Sequence, residues 1–495
     1  RLPLNAPCLS IRIGRDTPTD ILQESASALL AGGGHPFLIN DDKIIEGLLL
    51  SARESGTEID LADARDMVCD GCFEAIVAGK SEFAFSFVPV PEAVEMALNR
   101  GRTYASAGPV HMSGLKASYR SEAPEEIDSF EKFYGIFLKH YRYKLLDFYV
   151  AMLSRYGNLR HACPSPLLSA LVDGCVERGR DISAGGARYK ILSPLMNGIS
   201  TAIDALWAIN DMVFSEEAVF TLQELSQALV CDWGHDLKEP FCSSTMGEDR
   251  SAVLAERFRK LRDYATGLPK FGSGHEGVDR FARRLLRDLL RTAYDIFRDS
   301  QGPVADAMKL LRAEFGDANQ SFEFIISPGI ATFEDYGGIG SFLGASADGR
   351  RSGQPVASDF SPSPTPIDLP VPSAGRPWSV LRSWAAGPAD DDPQVIDPVG
   401  IGISNGSPVD INIHESFPEE ELVRLLRAFA NGTHGGSMLS VSCSDPGTLV
   451  AAQNQPDCYD LVRMRMGGWS EFFVAMFPEH QEHHKRRPSF EPDVP

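Results

Sequence analysis

Residues 465–470 read Arg465-Met466-Gly467-Gly468-Trp469-Ser470, a glycine pair set among arginine, methionine and an aromatic residue. Gly-Gly alone reads as a tight turn, because glycine reaches positive φ without steric cost. A turn does not by itself call for this arginine and aromatic frame. Glycine is also the only residue whose Cα can carry an unpaired electron with no Cβ in the way. Between an amide nitrogen and a carbonyl, such a radical is shared by donor and acceptor and becomes planar, which a side chain would oppose. The rest of the chain has to decide between the two readings.

With 495 residues, 43% hydrophobic and 23% charged, the chain can bury a large core. A formal charge of −21 argues against nucleic acid or an anionic membrane surface as the main partner. No apolar run approaches the length needed to span a bilayer, and Arg1-Leu2-Pro3-Leu4 lacks the sections of a signal peptide, so a cytoplasmic location is expected. Nine cysteines, an odd number scattered along the chain, argue for reduced thiols. Cys69 and Cys72 form the only close pair; without a second pair no zinc site is expected, and no metal is assigned to the chain.

The frame around that pair matters more: Asp70-Gly71-Cys72-Phe73-Glu74. Cys72 follows an amphipathic stretch and precedes Gly79-Lys80, on a loop, where rigid scaffolds present reactive groups. Three further stretches stand out, Gly33-Gly34-His35-Pro36 through Asp42, Ser169 through Asp181, and Ala347-Asp348-Gly349-Arg350-Arg351-Ser352-Gly353-Gln354-Pro355. Together and in this order, with Cys72 and Gly468 396 positions apart, they resemble the glycyl radical enzymes of the pyruvate formate-lyase-like superfamily. The Gly-Cys-x-Glu frame is closer to the dehydratase, lyase and decarboxylase members than to pyruvate formate-lyase itself, which uses two adjacent cysteines. Gly174-Cys175-Val176-Glu177 repeats the frame, but Leu167, Leu168, Leu171, Val172 and Cys175 have helical spacing over 166–177 and make Cys175 a core residue.

The resemblance implies a division of labour. Gly468 stores the radical, Cys72 relays it as a thiyl radical that abstracts substrate hydrogen, and Glu74 handles a proton, its bland role being a loop hydrogen bond or salt bridge. Relay through a thiol needs the S–H hydrogen, so a depressed thiolate pKa is not required. No cofactor is bound by the chain itself. The radical is installed by a partner, an S-adenosylmethionine-dependent iron–sulfur (radical SAM) activating enzyme. The expected reaction is cleavage of a C–C, C–O, C–N or C–S bond in a small molecule, by dehydration-type elimination or arylacetate decarboxylation, in an oxygen-sensitive, anaerobic homodimer. Two alternatives remain: a degenerate or partner subunit without its own activity, and an anaerobic ribonucleotide reductase, disfavoured because no four-cysteine zinc site accompanies the glycine.

The implied fold is α/β, a ten-stranded barrel of two antiparallel five-stranded halves surrounded by helices, with the cysteine and glycine loops meeting inside. Family members are substantially longer and Arg1 stands in place of an initiator methionine, so the chain is expected to be the C-terminal portion, a fragment or one piece of a split enzyme. Residues 1–359 would form part of the barrel domain with the cysteine loop. Residues 360–398, with nine prolines and Asp390-Asp391-Asp392, read as an extended connector, and 399–495 as the glycyl radical domain. Phe83–Val88 and Glu323–Ile326 read as strands. Helices are expected from Phe130 to Gly157 with Phe133, Phe137, Tyr141, Leu145 and Phe148 on one face, over Pro91–Gly101, and from Ser416 to Gly432. Glu479–Arg487 reads as a solvated tail rather than a metal site.

Overall fold

The computed structural model describes residues 8–70, 72–104, 117–237, 248–316, 322–372, 376–377, 403–432 and 436–491; Gly71 and most of the connector expected at 360–398 lie outside them. Strands β1 (Ser10–Ile13) and β2 (Phe37–Asn40) open one sheet, and β3 (Met67–Asp70) and β4 (Glu74–Val77) form a hairpin. β5 (Ser81–Pro89), β6 (Tyr189–Asn197) and β7 (Ile325–Ile326) make a three-stranded parallel sheet. β8 (Arg376–Pro377), β9 (Pro408–Ile413) and β10 (Met438–Cys443) return to the first sheet, β11 (Arg463–Met466) and β12 (Trp469–Phe472) form a second hairpin, and β13 (Ser489–Glu491) joins the first sheet.

The six-stranded sheet has the order β1-β2-β10-β9-β13-β8 and is parallel except where β2 meets β10. The beginning and end of the chain therefore share one sheet, which carries Gly33–Asn40 to the foot of the β11–β12 hairpin. In the smaller sheet β6 is buried at every position, as a parallel strand covered on both faces should be. Among the described residues its neighbour β5 pairs on one side only, and Phe85 on it is 41% exposed.

The ten-stranded barrel is not closed within the described residues. A barrel requires every strand to have two neighbours, whereas the strands here divide between sheets of six and three plus two hairpins. What the fold does share with the expectation is its α/β layering. The helix Phe130–Arg155 buries Phe133, Phe137, Tyr141, Leu145 and Phe148, and Val90–Leu98 and Glu419–Ala430 form where their periodicity and flanking glycines indicated.

Two expectations are corrected. Residues 166–177 are not one helix: they form the short turns Pro166–Ser169 and Cys175–Arg178, with Gly174 left-handed between them. Cys175 is buried, but Leu167 is 80% exposed, and Leu168 and Leu171 also lie open. Apolar spacing without a covering neighbour did not suffice to make a helix. Second, the segment expected to be a solvated tail is the helix Pro478–Arg486, with His480, His483, His484, Lys485 and Arg486 buried. Tyr336 stacks on His483 with ring centroids 3.8 Å apart and its hydroxyl meets His480 Nδ1 at 2.7 Å, while Glu482 and Gln453 take up Lys485. Partners from distant segments cover His480, His483, Lys485 and Arg486, while the ring nitrogens of His484 are buried without a hydrogen bond among the described residues. No helix among the described residues is long and apolar enough to cross a membrane.

Candidate functional site

Two hairpin tips meet at the centre of the site. Pairing of Asp70 with Glu74 leaves Cys72 and Phe73 in the connection between β3 and β4. Pairing of Met466 with Trp469 leaves Gly467-Gly468 as a two-residue turn. Gly467 has φ +52, the value such turns require at their first position and one that L side chains rarely adopt. Gly468 needs to be glycine for a different reason. A Cβ there would fall under 3.0 Å from the Sγ, Cα and Cβ of Cys72, and the glycine Cα itself lies within about 4 Å of the sulfur.

Buried groups fix this meeting. Arg465, 1% exposed, donates from Nε to the Gly467 carbonyl at 3.0 Å and lies 5.0 Å over the Phe37 ring. Its own amide donates to Ser442 of β10 at 3.2 Å. A Cβ on Gly34 would sit 2.9 Å from Ser470 Oγ, so the Gly33-Gly34 segment packs directly on the second hairpin. On the other tip, Phe73 stacks on Phe333 with centroids 5.4 Å apart and planes 5° apart. Phe333 holds a left-handed φ of +51, and a Cβ on Gly467 would lie 3.4 Å from its Cα. A large residue in that region is strained by about 1–3 kcal/mol and persists only where its surroundings over-determine it.

The electrostatics keep the thiol protonated. Burial, then the charges of Glu74, Glu334 and Asp359, push the Cys72 pKa up to about 12 against the Gly468 amide, which favours the thiolate. Cys69, one turn of pleat away, is raised to about 12 by burial and Glu74. Glu74 is 4% exposed; burial raises its pKa while the backbone amides of the turn hold it down. Its Oε2 accepts from the amides of Cys72 at 3.2 Å and Phe73 at 3.1 Å. The carboxylate therefore braces the turn that presents the thiol, which is the loop-hydrogen-bond role.

A cavity of about 900 Å³ opens beside the first hairpin, where Asp70 and Ile76 share its lining with Phe83, Tyr156, Leu168 and Leu171. Glu82, also lining it, is bound by the Tyr156 hydroxyl at 2.5 Å and raised to about 8 by burial.

The other stretches singled out in the sequence do different work. Asp181 gathers the amide and hydroxyl of Ser183, the amide of Ser165 and the hydroxyl of Ser169. Arg351 donates twice to Asp232. These are braces rather than parts of the site. Two residues near the thiol were not legible: Phe333, and Asp359, buried with φ +47 and bound by the amide and hydroxyl of Thr332. Neither has a sequence signal, because neither lies in a glycine or cysteine frame.

Comparison with known proteins returns the same class. The family described as pyruvate formate lyase-like matches residues 1–302. The probable dehydratase YbiW of Escherichia coli (strain K12) is 25% identical over 499 residues, covering 97% of this chain and 52% of YbiW. The (2S)-3-sulfopropanediol dehydratase of Klebsiella oxytoca is 24% identical over 95% of this chain and 49% of its own. Among solved structures, one described for 1,2-propanediol dehydration in Roseburia inulinivorans superposes with a TM-score of 0.76 at 23% identity, covering 98% of this chain and 53% of that one. The chain spans about half the length of the curated relatives it matches.

Proposed function

This chain belongs to the pyruvate formate lyase-like family, and we propose that it is the radical-bearing half of a glycyl radical lyase. The observation that carries the reading is the contact between the Gly468 turn and Cys72. A hydrogen atom passes from the Cys72 S–H to the Gly468 Cα radical, leaving a thiyl radical and an ordinary glycine. The thiyl radical takes a hydrogen atom from a substrate C–H, a bond next to the new carbon radical breaks, and the product radical recovers the hydrogen from the S–H. The raised thiol pKa supports this route, since the hydrogen must be on the sulfur for the first transfer. Glu74 supplies or accepts the proton that accompanies bond cleavage.

The substrate is a small molecule undergoing dehydration-type elimination or arylacetate decarboxylation, and the dehydratase names of the relatives favour elimination. A ten-stranded barrel would be completed by the half of the relatives' length that this chain does not span. A radical SAM activating enzyme would install the radical, in an anaerobic, cytoplasmic homodimer.

The test is anaerobic treatment with an activating enzyme of matched origin, followed by electron paramagnetic resonance. A doublet from a Cα radical, with cleavage of the chain near Gly468 on exposure to air, is the expected result. A chain that stays silent and intact sinks the radical reading and leaves a subunit that keeps the fold without the chemistry.

A further inference from the structure

Four cations converge on a second cavity of about 140 Å³ that shares no lining residue with the hairpin site. Lys270 reaches it from the turn after the helix Glu248–Gly267, Arg350 from the Ala347–Pro355 stretch, Arg376 from β8, and Arg486 from the C-terminal helix. Four separate segments of the chain therefore bring positive charge to one place.

Neutral carbonyls hold these cations. Lys270 Nζ donates to the carbonyls of Ala265 and Asp348 at 2.8 Å each, and Arg376 to Gly272 at 3.0 Å. Arg350 donates to the carbonyls of Gly344, Arg351 and Gln354 and to the Ser346 hydroxyl. Arg486 donates to Pro366 and Leu369 carbonyls and is the only one of the four with a carboxylate in ion-pair range among the described residues, Glu482 at 3.2 Å. A carbonyl satisfies an N–H group but does not neutralise the charge behind it.

The acids that face these cations are few. Asp348 lines the cavity and accepts from the Ser346 hydroxyl. Asp204 lies behind Ser363, accepting from its hydroxyl at 2.6 Å and from the Phe271 amide at 2.7 Å. Burial holds the Asp204 pKa up to about 7, against the pull of Lys270. Asp348, then Glu95 and Asp232, lie in the field of Arg350, and Asp204 in that of Lys270 and Arg376, but Asp232 is already committed to Arg351. Among the described residues lining the cavity, Asp348 is the one carboxylate beside four cations, in a chain whose overall balance is −21. Buried cations are costly unless a counter-charge meets them, and guanidinium groups match oxyanion geometry.

We infer that this cavity is a binding site for a small tetrahedral oxyanion, phosphate or the phosphoryl group of a small ester, held by Lys270, Arg350, Arg376 and Arg486. The volume is that of several waters, at about 30 Å³ each, and accommodates one such group. The anion ties the segment 363–369 and the C-terminal helix to the Lys270 and Arg350 loops.

Isothermal titration of the full chain, without radical activation, tests this directly. Inorganic phosphate is titrated at an ionic strength fixed by chloride. Saturable binding with one site per chain is expected, weakened at least tenfold in Arg376→Ala and in Lys270→Met. Lys270→Met keeps the side-chain length, so it reads the charge even if Arg376→Ala fails to fold, and melting in chloride alone reports whether each variant is intact. Tighter binding of glycerol phosphate than of inorganic phosphate would assign the site to an ester, and the reverse order to the free ion. Absence of saturable binding by both ligands, or binding unchanged in both folded variants, overturns the inference.

Discussion

The Cys72 sulfur lies where a side chain on residue 468 would be, less than 3.0 Å from the position of its Cβ. The missing side chain of Gly468 is thus the space through which the cysteine touches the glycine backbone. Gly467, its neighbour, is glycine for its φ of +52, so the two glycines of one turn answer to separate constraints.

Those constraints should separate by substitution. Gly468→Ala forces an overpacked contact, which typically costs about 1–3 kcal/mol, and should lower the melting temperature and abolish the radical signal. Gly467→Ala costs about 1–2 kcal/mol for the left-handed backbone, yet meets nothing closer than Phe333 Cα at 3.4 Å. It should keep the paramagnetic doublet. Loss of the doublet in Gly467→Ala alone would assign the radical to the wrong glycine.

Burial of Cys72 sets its reactivity towards alkylating agents. Only the thiolate reacts, and a pKa near 12 in place of the ordinary 9.0 leaves little of it at pH 8. Mass spectrometry after iodoacetamide treatment should show the exposed Cys163 and Cys458 modified first, with Cys72 reacting appreciably only well above pH 9. The sign for stability follows: the neutral thiol is preferred in the fold, so its contribution is intact below the unfolded value near 9.0 and is lost as pH rises towards 12. Rapid labelling of Cys72 at pH 7.5 in the folded chain would refute the burial argument. Cys72→Ala should keep the radical and stop turnover.

Glu74→Gln separates bracing from proton transfer. The amide oxygen of glutamine can still accept from the Cys72 and Phe73 amides, so fold and radical signal should survive. Turnover should fall by roughly 10²–10⁴-fold if the carboxyl moves a proton. Because burial raises the Glu74 pKa, the acidic limb of the wild-type rate profile should lie above the ordinary carboxyl value of 4.5. Unchanged turnover in the variant would reduce Glu74 to its brace.

The C-terminal helix carries a pH response of its own. Burial, chiefly, lowers the pKa of His480, and of His483 and His484 well below the ordinary 6.5. These groups stay neutral in the fold and become charged on unfolding in acid, so the stability they confer is present above pH 6.5 and is lost as pH falls through their folded values. Hydrogen-exchange protection in Pro478–Arg486, corrected for the intrinsic pH dependence of amide exchange, should fall between pH 7 and pH 5 more than in the helix Phe130–Arg155. Equal loss of protection in both would show that the histidines do not govern it.

Much of the local order was legible. The Phe130–Arg155 stripe, the glycine-ended helix Glu419–Ala430 and the alternating aromatics of β5 formed as patterned, because period and punctuation act over a few residues. Leu167, Leu168 and Leu171 misled because the same spacing that builds a core stripe lies open when no element covers it. The histidine-rich Pro478–Arg486 misled in the opposite direction, since Tyr336, Gln453 and the segment 363–369 supply partners from elsewhere in the chain.

The family frames, Arg465 through Ser470 and Cys72 through Glu74, are written in residue type at short spacing. Tertiary structure alone decided that these frames touch, that Glu74 turns back onto the Cys72 and Phe73 amides, and that Phe333 and Asp359 stand around the thiol. The reason is physical: Gly468 and Cys72 lie on separate hairpins, brought together because β2 pairs with β10 and Arg465 is buried against Phe37. No local propensity encodes such long-range pairing.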